Sequence, residues 1–228
     1  MGVTGMSVNR LIIEGWEVDF SGLSDQSLVD RARAALEEHL KWVRARIARI
    51  GDAVHSEAIH IVTRRSPIKL SETSCPDWMV YHWGPPHGVG IEVYQTKSLL
   101  DDLAISGEPQ PPKWNGYFIH ELGHSFHQHY LCKRGENDKL KLKELYEDAQ
   151  ENPAYIQSID TVRGRCGPHY ALQKESTLEY FACLFCAYFD ASDWSPENRA
   201  ALAEHDPDGL AFIDRLILDC VESCDRKI

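Results

Sequence analysis

The chain has 228 residues, 43% of them hydrophobic, and a formal charge of −11 at pH 7. That length supports a core for one domain, or one domain with a small lobe. The negative charge argues against nucleic acid and anionic membrane as partners, and no run approaches the roughly 20 apolar residues that a membrane-spanning helix needs.

In chain order, residues 10–20 read as a strand. Residues 25–50 place Leu28, Ala32, Ala35, Leu36, Leu40, Val43 and Ile47 at helical spacing, with Ser24 or Asp25 as the cap. Residues 58–64 read as a second strand, and residues 78–86, with their paired prolines, as a loop able to rim a cleft. Residues 88–95 read as another strand, and residues 98–105 as a short, partly helical segment. Pro109-Gln110-Pro111-Pro112 closes this half. A helix is expected over 114–132, then a polar stretch over 133–167 holding one helix and a loop, a strongly apolar helix over 175–189, and a last helix near 207–222. There is no internal repeat or long low-complexity linker. Strands with one long helix, followed by an all-helical part, predict an α+β fold. The expectation is a single catalytic domain, 1–228, made of a sheet-containing half (1–108) and a helical half (109–228).

The helix over 114–132 carries Phe118-Ile119-His120-Glu121-Leu122-Gly123-His124, which reads His-Glu-x-x-His. Residues four apart lie one above the other on a helix, so His120 and His124 can offer both imidazoles to one metal ion. Glu121 stands beside them, where it can act as general base toward a metal-bound water. Phe118, Ile119 and Leu122 would anchor the opposite side of the helix in a core. A catalytic zinc site needs a third protein ligand and leaves its fourth position to water. The position ten residues after His120 holds Tyr130, which excludes a third histidine there. The segment Glu175-Ser176-Thr177-Leu178-Glu179-Tyr180-Phe181-Ala182 instead supplies a carboxylate within an apolar helix. Glu179 is the preferred ligand; Glu175, one turn earlier, is its competitor, and a solvated Glu is the plain alternative.

These segments together resemble the zinc peptidase domains similar to anthrax toxin lethal factor, and in particular their single-domain relatives. The resemblance rests on His120 to His127, Glu179 to Ala182, Ala187-Tyr188-Phe189, Asp193-Trp194-Ser195-Pro196 and Glu204-His205-Asp206-Pro207. Ile13 to Val18 and Gly90-Ile91-Glu92-Val93 extend it over nearly the whole chain. It implies a zincin-like α+β fold with its cleft between a mixed sheet and the helical part. It also implies zinc held by His120, His124 and Glu179, Glu121 as the base, and a tyrosine that stabilises the oxyanion. Tyr170 is the nearest match for that tyrosine, nine residues ahead of Glu179 where the family has seven. Cys183 stands where relatives carry the Glu that ends Glu-Tyr-Phe-Ala-Glu, a change that bears on zinc affinity or activity if that Glu supports the metal ligands. In enzymes of this kind an edge strand pairs with extended substrate. Residues 89–94 are the candidate for that strand, with a buried structural strand as the competing reading.

His127 completes a face with His120 and His124 and is read as a hydrogen-bonded support for the site; His129 is read as solvated, and His169 as a loop histidine or a substrate contact. The seven cysteines, an odd count without a visible signal peptide in the first seven residues, point to reduced thiols and a cytoplasmic setting. Gly2 with Met6 makes a poor myristoylation signal. Cys183-Leu184-Phe185-Cys186 has Cys-x-x-Cys spacing but sits in an apolar helix, where buried cysteine acts as a small hydrophobe; a structural metal site with Cys220 and Cys224 is the minor alternative. The alternating Lys139-Leu140-Lys141-Leu142-Lys143 reads as the solvated side of a helix. The expected function is a zinc-dependent peptidase acting on a peptide or peptide-like substrate. The alternatives are an amide hydrolase with one narrow biosynthetic or processing substrate, and a zinc-containing peptide-binding protein without catalysis.

Overall fold

The computed structural model describes residues 9–49, 53–75, 79–97, 100, 114–152, 176–192 and 196–225. The chain is α+β, and its contacts divide it into two compact units. One comprises Met1–Lys41 and Arg64–Pro112, the other Trp42–Thr63 and Lys113–Ile228.

The first unit is built on a five-stranded mixed sheet. The region expected as one strand over 10–20 is a hairpin of β1 (Arg10–Ile13) and β2 (Trp16–Gly22). Its two-residue turn has positive φ at both positions, 49° at Glu14 and 93° at Gly15, as a primed hairpin turn requires. Glu-Gly is a weaker turn signal than Asn-Gly, so the break escapes a reading by composition. The helix α1 (Gln26–Ala48) begins as expected, with the Leu28 amide donating to Asp25 Oδ1 at 2.8 Å. Its Leu28, Ala32, Leu36 and Leu40 are all buried, the stripe that the 3.6-residue period requires.

Residues 58–64 are not a strand. All but Arg64 fall in the helix α2 (Ala53–Thr63), where Ala58, Ile59 and Val62 are buried and the Thr63 hydroxyl donates to the Ile59 carbonyl. A short run of β-branched residues does not separate a buried helix from a strand by periodicity. The strand comes later, as β3 (Ile68–Ser71), with Ile68 and Leu70 facing inward and Lys69 outward. Residues 78–86 are not simply a loop either, because β4 (Met79–Gly84) runs up to the paired prolines. β5 (Gly88–Val93) matches the strand expected over 88–95.

The sheet order is β1-β2-β3-β5-β4, with β2–β3 and β3–β5 parallel and β1–β2 and β4–β5 antiparallel. β5 is therefore an interior strand whose backbone is paired on both sides: Ile91 stands opposite Ile68 of β3 and Tyr81 of β4. The edge role expected for residues 89–94 does not hold, and the competing structural reading does. Among the described residues the sheet's edges are β1 and β4. Apart from Leu100, residues 98–105, like Pro109 to Pro112, lie outside the described residues.

The second unit is helical: α2, α3 (Trp114–His129), a 3-10 turn (Leu131–Lys133), α4 (Glu136–Glu151), α5 (Thr177–Tyr188), α6 (Arg199–His205) and α7 (Pro207–Asp225). The short α6 adds a helix that the apolar spacing does not announce. The stretch over 133–167 holds one helix, α4, and its remainder from 153 lies outside the described residues. Every residue of α5 from Tyr180 to Tyr188 is buried. Two links fix it. The Tyr180 hydroxyl donates to Asp206 Oδ2 at 2.5 Å, while Asp206 Oδ1 accepts from the Gly209 amide at 2.8 Å and so caps α7. At the other end of α5 the Tyr188 hydroxyl donates to Asp214 Oδ1, which also takes Arg199 Nη2, both at 2.6 Å. Arg134 ties the 3-10 turn to α4 and α7 through Asp138, the Tyr130 hydroxyl (2.7 Å) and Asp219 (2.6 Å). Among the described residues, no helix is long and apolar enough to cross a membrane.

Asp206 thus joins the helix carrying Glu179 to the start of α7. Replacing Tyr180 by Phe removes a donor to a buried carboxylate and should lower the unfolding free energy by about 2 kcal/mol. Denaturant titration checks this; an unchanged midpoint would show that the link carries no stability.

Candidate metal centre

The three metal-ligand candidates reach one place because α3 and α5 pack at close range. Phe118, Ile119, Leu122 and Phe126 are at most 1% exposed, and each contributes on the order of 1.5–3 kcal/mol by leaving water. Phe126 meets Phe181 and Phe185 of α5 at ring centroid distances of 6.4 and 5.4 Å. Between the two histidines sits Gly123. A Cβ there would stand 2.9 Å from Ala182 Cα and 3.1 Å from Phe185 Cβ. Only a residue without a side chain lets α5 approach this closely. The first turn of α5 is set by Ser176, whose hydroxyl accepts from the Glu179 amide at 3.4 Å. Ser176 and Glu179 have the spacing of a capping box, yet the Glu179 carboxylate turns to the imidazoles instead.

Glu179 Oε2 lies 3.1 Å from His120 Nε2, and Glu179 Oε1 lies 3.6 Å from His124 Nε2. One ligand atom from each of the three lies within 4.8 Å of the others. Ligands about 2.0–2.1 Å from a tetrahedral zinc stand roughly 3.3 Å apart, so the donor set and spacing fit one such ion. Glu175, the competing ligand, lies outside the described residues, as do Tyr170 and His169. Glu121 is buried, at 7% exposed, next to His120 on α3.

The electrostatics suit a cation site. Burial alone would push the Glu179 carboxyl up, but hydrogen bonding and charge from His120 and His124 reverse this and hold it far below the usual carboxylate range. Burial alone would lower the His120 pKa. The Cys183 sulfur, Glu179 and the Glu121 charge outweigh that and keep the imidazole well above its ordinary value. Without an ion, protons hold this group of side chains together, and an ion must displace them, so affinity falls as the pH is lowered.

Cys183 lies one turn beyond Glu179, with Sγ 3.9 Å from His120 Nδ1. Cys183 therefore sits at the outer nitrogen of a candidate ligand. A thiol is a weaker acceptor there than a carboxylate. His127 is not among the converging donors. Its Nδ1 lies 3.3 Å from Cys132 Sγ, and its ring meets Phe181 edge-on. Burial, then the neighbouring His124 and Lys139, lower its pKa to about 4, so it is neutral at physiological pH. His129, at the end of α3, is half-buried. Cys186 and Cys220 point at backbone carbonyls, Gly116 O at 3.4 Å and Ala58 O at 4.0 Å. No cysteine joins a metal-ligand group among the described residues. The sequence motifs do not single out Cys132, nor a second group of ligand type, His82, His87 and Glu92, in the first unit.

Two outcomes follow from these contacts. Cys183→Ala should weaken zinc binding by up to about tenfold and Cys183→Glu should tighten it, as read by competition with a chelating dye; equal affinity in all three proteins would count against a supporting role. His127 is neutral in the fold but takes up a proton in the unfolded chain below its ordinary pKa near 6.5. Its contribution to stability is therefore complete above that value and is lost as the pH falls from 6.5 toward 4, by about 2–3 kcal/mol. His127→Phe should flatten that part of the stability–pH curve. Comparisons with protein-family models, curated proteins and solved structures return no match for this chain.

Proposed function

We propose that this chain is a zinc-dependent metallohydrolase, in the first place a peptidase, of the kind that pairs His-Glu-x-x-His with a downstream glutamate. One observation carries the reading: His120, His124 and Glu179 converge on one point, with Glu121 buried beside them on the same helix. Two imidazoles and one carboxylate leave room for a further ligand on a tetrahedral ion and match zinc's preferences. Zinc bound there would supply Lewis acidity toward a substrate carbonyl and make water a better nucleophile at neutral pH. The zincin-like arrangement implied by the resemblance to the lethal-factor-like peptidases is part of this reading.

His120, His124 and Glu179 hold the ion. Cys183 orients the His120 ring from its outer nitrogen. Glu121 takes a proton from the attacking water as the water adds to the amide carbonyl. The same carboxylic acid then passes that proton to the leaving amine. Tyr170 is the candidate hydrogen-bond donor to the oxyanion. A second reading, a zinc-containing peptide-binding protein, is favoured by one feature, the thiol of Cys183 in place of a carboxylate behind His120.

The test compares wild type, Glu121→Gln and Glu179→Ala for zinc content and for cleavage of a diverse peptide pool. About one zinc at this site, lost in Glu179→Ala, is expected. Glu121→Gln should keep the metal and lose at least about a hundredfold in turnover. Turnover retained in Glu121→Gln would sink the mechanism, and zinc bound without any cleavage would move the assignment to the binding protein.

A further inference from the structure

The polar face of the sheet in the first unit carries a feature that the proposed activity does not use. Val80 stands opposite Glu92, and His82 opposite Gly90, so His82 and Glu92 share one face of the β4–β5 hairpin. Lys69, on the neighbouring β3 strand, joins that face with Nζ 3.2 Å from Glu92 Oε1. A carboxylate in this position would ordinarily be solvated, yet Glu92 is only 4% exposed. It lies beneath the imidazoles of His82 and His87, which stack at 4.4 Å with an angle of 14° between their planes. Its second oxygen, Oε2, is buried and makes no hydrogen bond of good geometry. Both imidazoles are aimed at that atom, His82 Nε2 at 3.3 Å and His87 Nδ1 at 3.8 Å.

We propose that His82, His87 and Glu92 form a second divalent-cation site, for a zinc-class ion, that fastens the edge strand β4 and its turn to β5. The three ligand atoms lie within 4.8 Å of one another; of the two nitrogen-to-oxygen separations, 3.3 Å matches the roughly 3.3 Å between ligands of a tetrahedral zinc ion and 3.8 Å is somewhat longer. Two nitrogens and one carboxylate oxygen are a donor set for zinc and its neighbours rather than for calcium or magnesium, which take oxygen. The Tyr94 hydroxyl lies 3.0 Å from His82 Nε2, and its pKa is pushed up to about 12 by burial and by Glu92. An arriving ion exchanges that hydrogen bond for a coordinate bond. Lys69 competes for the same carboxylate, and its exposed stem lets it swing away.

The fastening has a structural use. β4 is an edge strand, and the three ligands come from β4, from the turn after it and from β5. One ion would therefore cross-link the whole hairpin. The observation is independent of the His120 group, which lies in the other unit.

The experiment is calorimetric titration of metal-free full-length protein with Zn2+, comparing wild type, His120→Ala, His87→Gln and the double variant. His87 is half exposed at the turn, so His87→Gln should keep its fold, which circular dichroism verifies. Two specific equivalents are expected in wild type, with one lost in each single variant and both in the double. Zinc should raise the Tm of His120→Ala but not that of the double variant. Binding by the cysteines would appear equally in all four proteins. If His120→Ala and the double variant bind the same amount of zinc, the proposal is overturned. If wild type binds one equivalent that survives His120→Ala and disappears with His87→Gln, the second site stands and the metallohydrolase reading falls.

Discussion

The contact between α3 and α5 at Gly123 is the constraint on which the helical unit depends. Two helices that pack with side chains between them usually stand 8–10 Å apart; here the glycine leaves a gap that Ala182 and Phe185 fill. The same approach sets the Glu179 carboxylate against His120 and His124, so core packing and site geometry rest on a single contact. Phe126 and Gly123 pack against the Glu179 helix while His120 and His124 meet Glu179 beside them, so both the packing and the cluster depend on the helices staying together. Asp206 and Asp214 then hold the two ends of α5 through Tyr180 and Tyr188. The Glu-Tyr-Phe-Ala segment therefore combines a candidate ligand, a tether and two core residues in four consecutive positions.

What surrounds the candidate ligands is as informative as the ligands. Sulfur appears twice, Cys183 behind His120 and Cys132 against His127. Both imidazoles thus lean on soft, weakly hydrogen-bonding partners where a carboxylate would bind more strongly. The charge on His120 comes mainly from its neighbours, whereas His127 is kept neutral by burial. His120 and His127, seven residues apart on one helix, are consequently pushed in opposite directions, and the cause is the company of each ring.

The first unit shows the same principle on a sheet. Its charged face contains Lys69, Glu92, Arg10 and Asp19, most of them paired across strands. Glu92 differs because two imidazoles cover it, and they come from a strand and a turn that adjoin it only once β4 folds back on β5. Linear spacing offers no hint of this, since His82, His87 and Glu92 follow no helical or Cys-x-x-Cys period.

Local pattern determined a good deal by itself. The long period of α1 and its Asp25 cap, the helices through His120 and Glu179, the last helix and the α+β class are all readable from apolar spacing, because each of those elements buries a regular stripe. The pairing of His120 with His124 is readable for the same reason, as a helix fixes the geometry of residues four apart. Tertiary structure decided the rest. It made a helix of the β-branched run at 58–63, where burial on one side outweighed strand propensity, and it made a strand of the segment read as a loop before Pro85. It placed β5 inside the sheet, because strand order depends on pairings between distant segments that no local period records. It also brought Glu179, 55 residues beyond His124 in the sequence, to the two imidazoles. Proximity of that kind arises only when a glycine lets two packed helices touch.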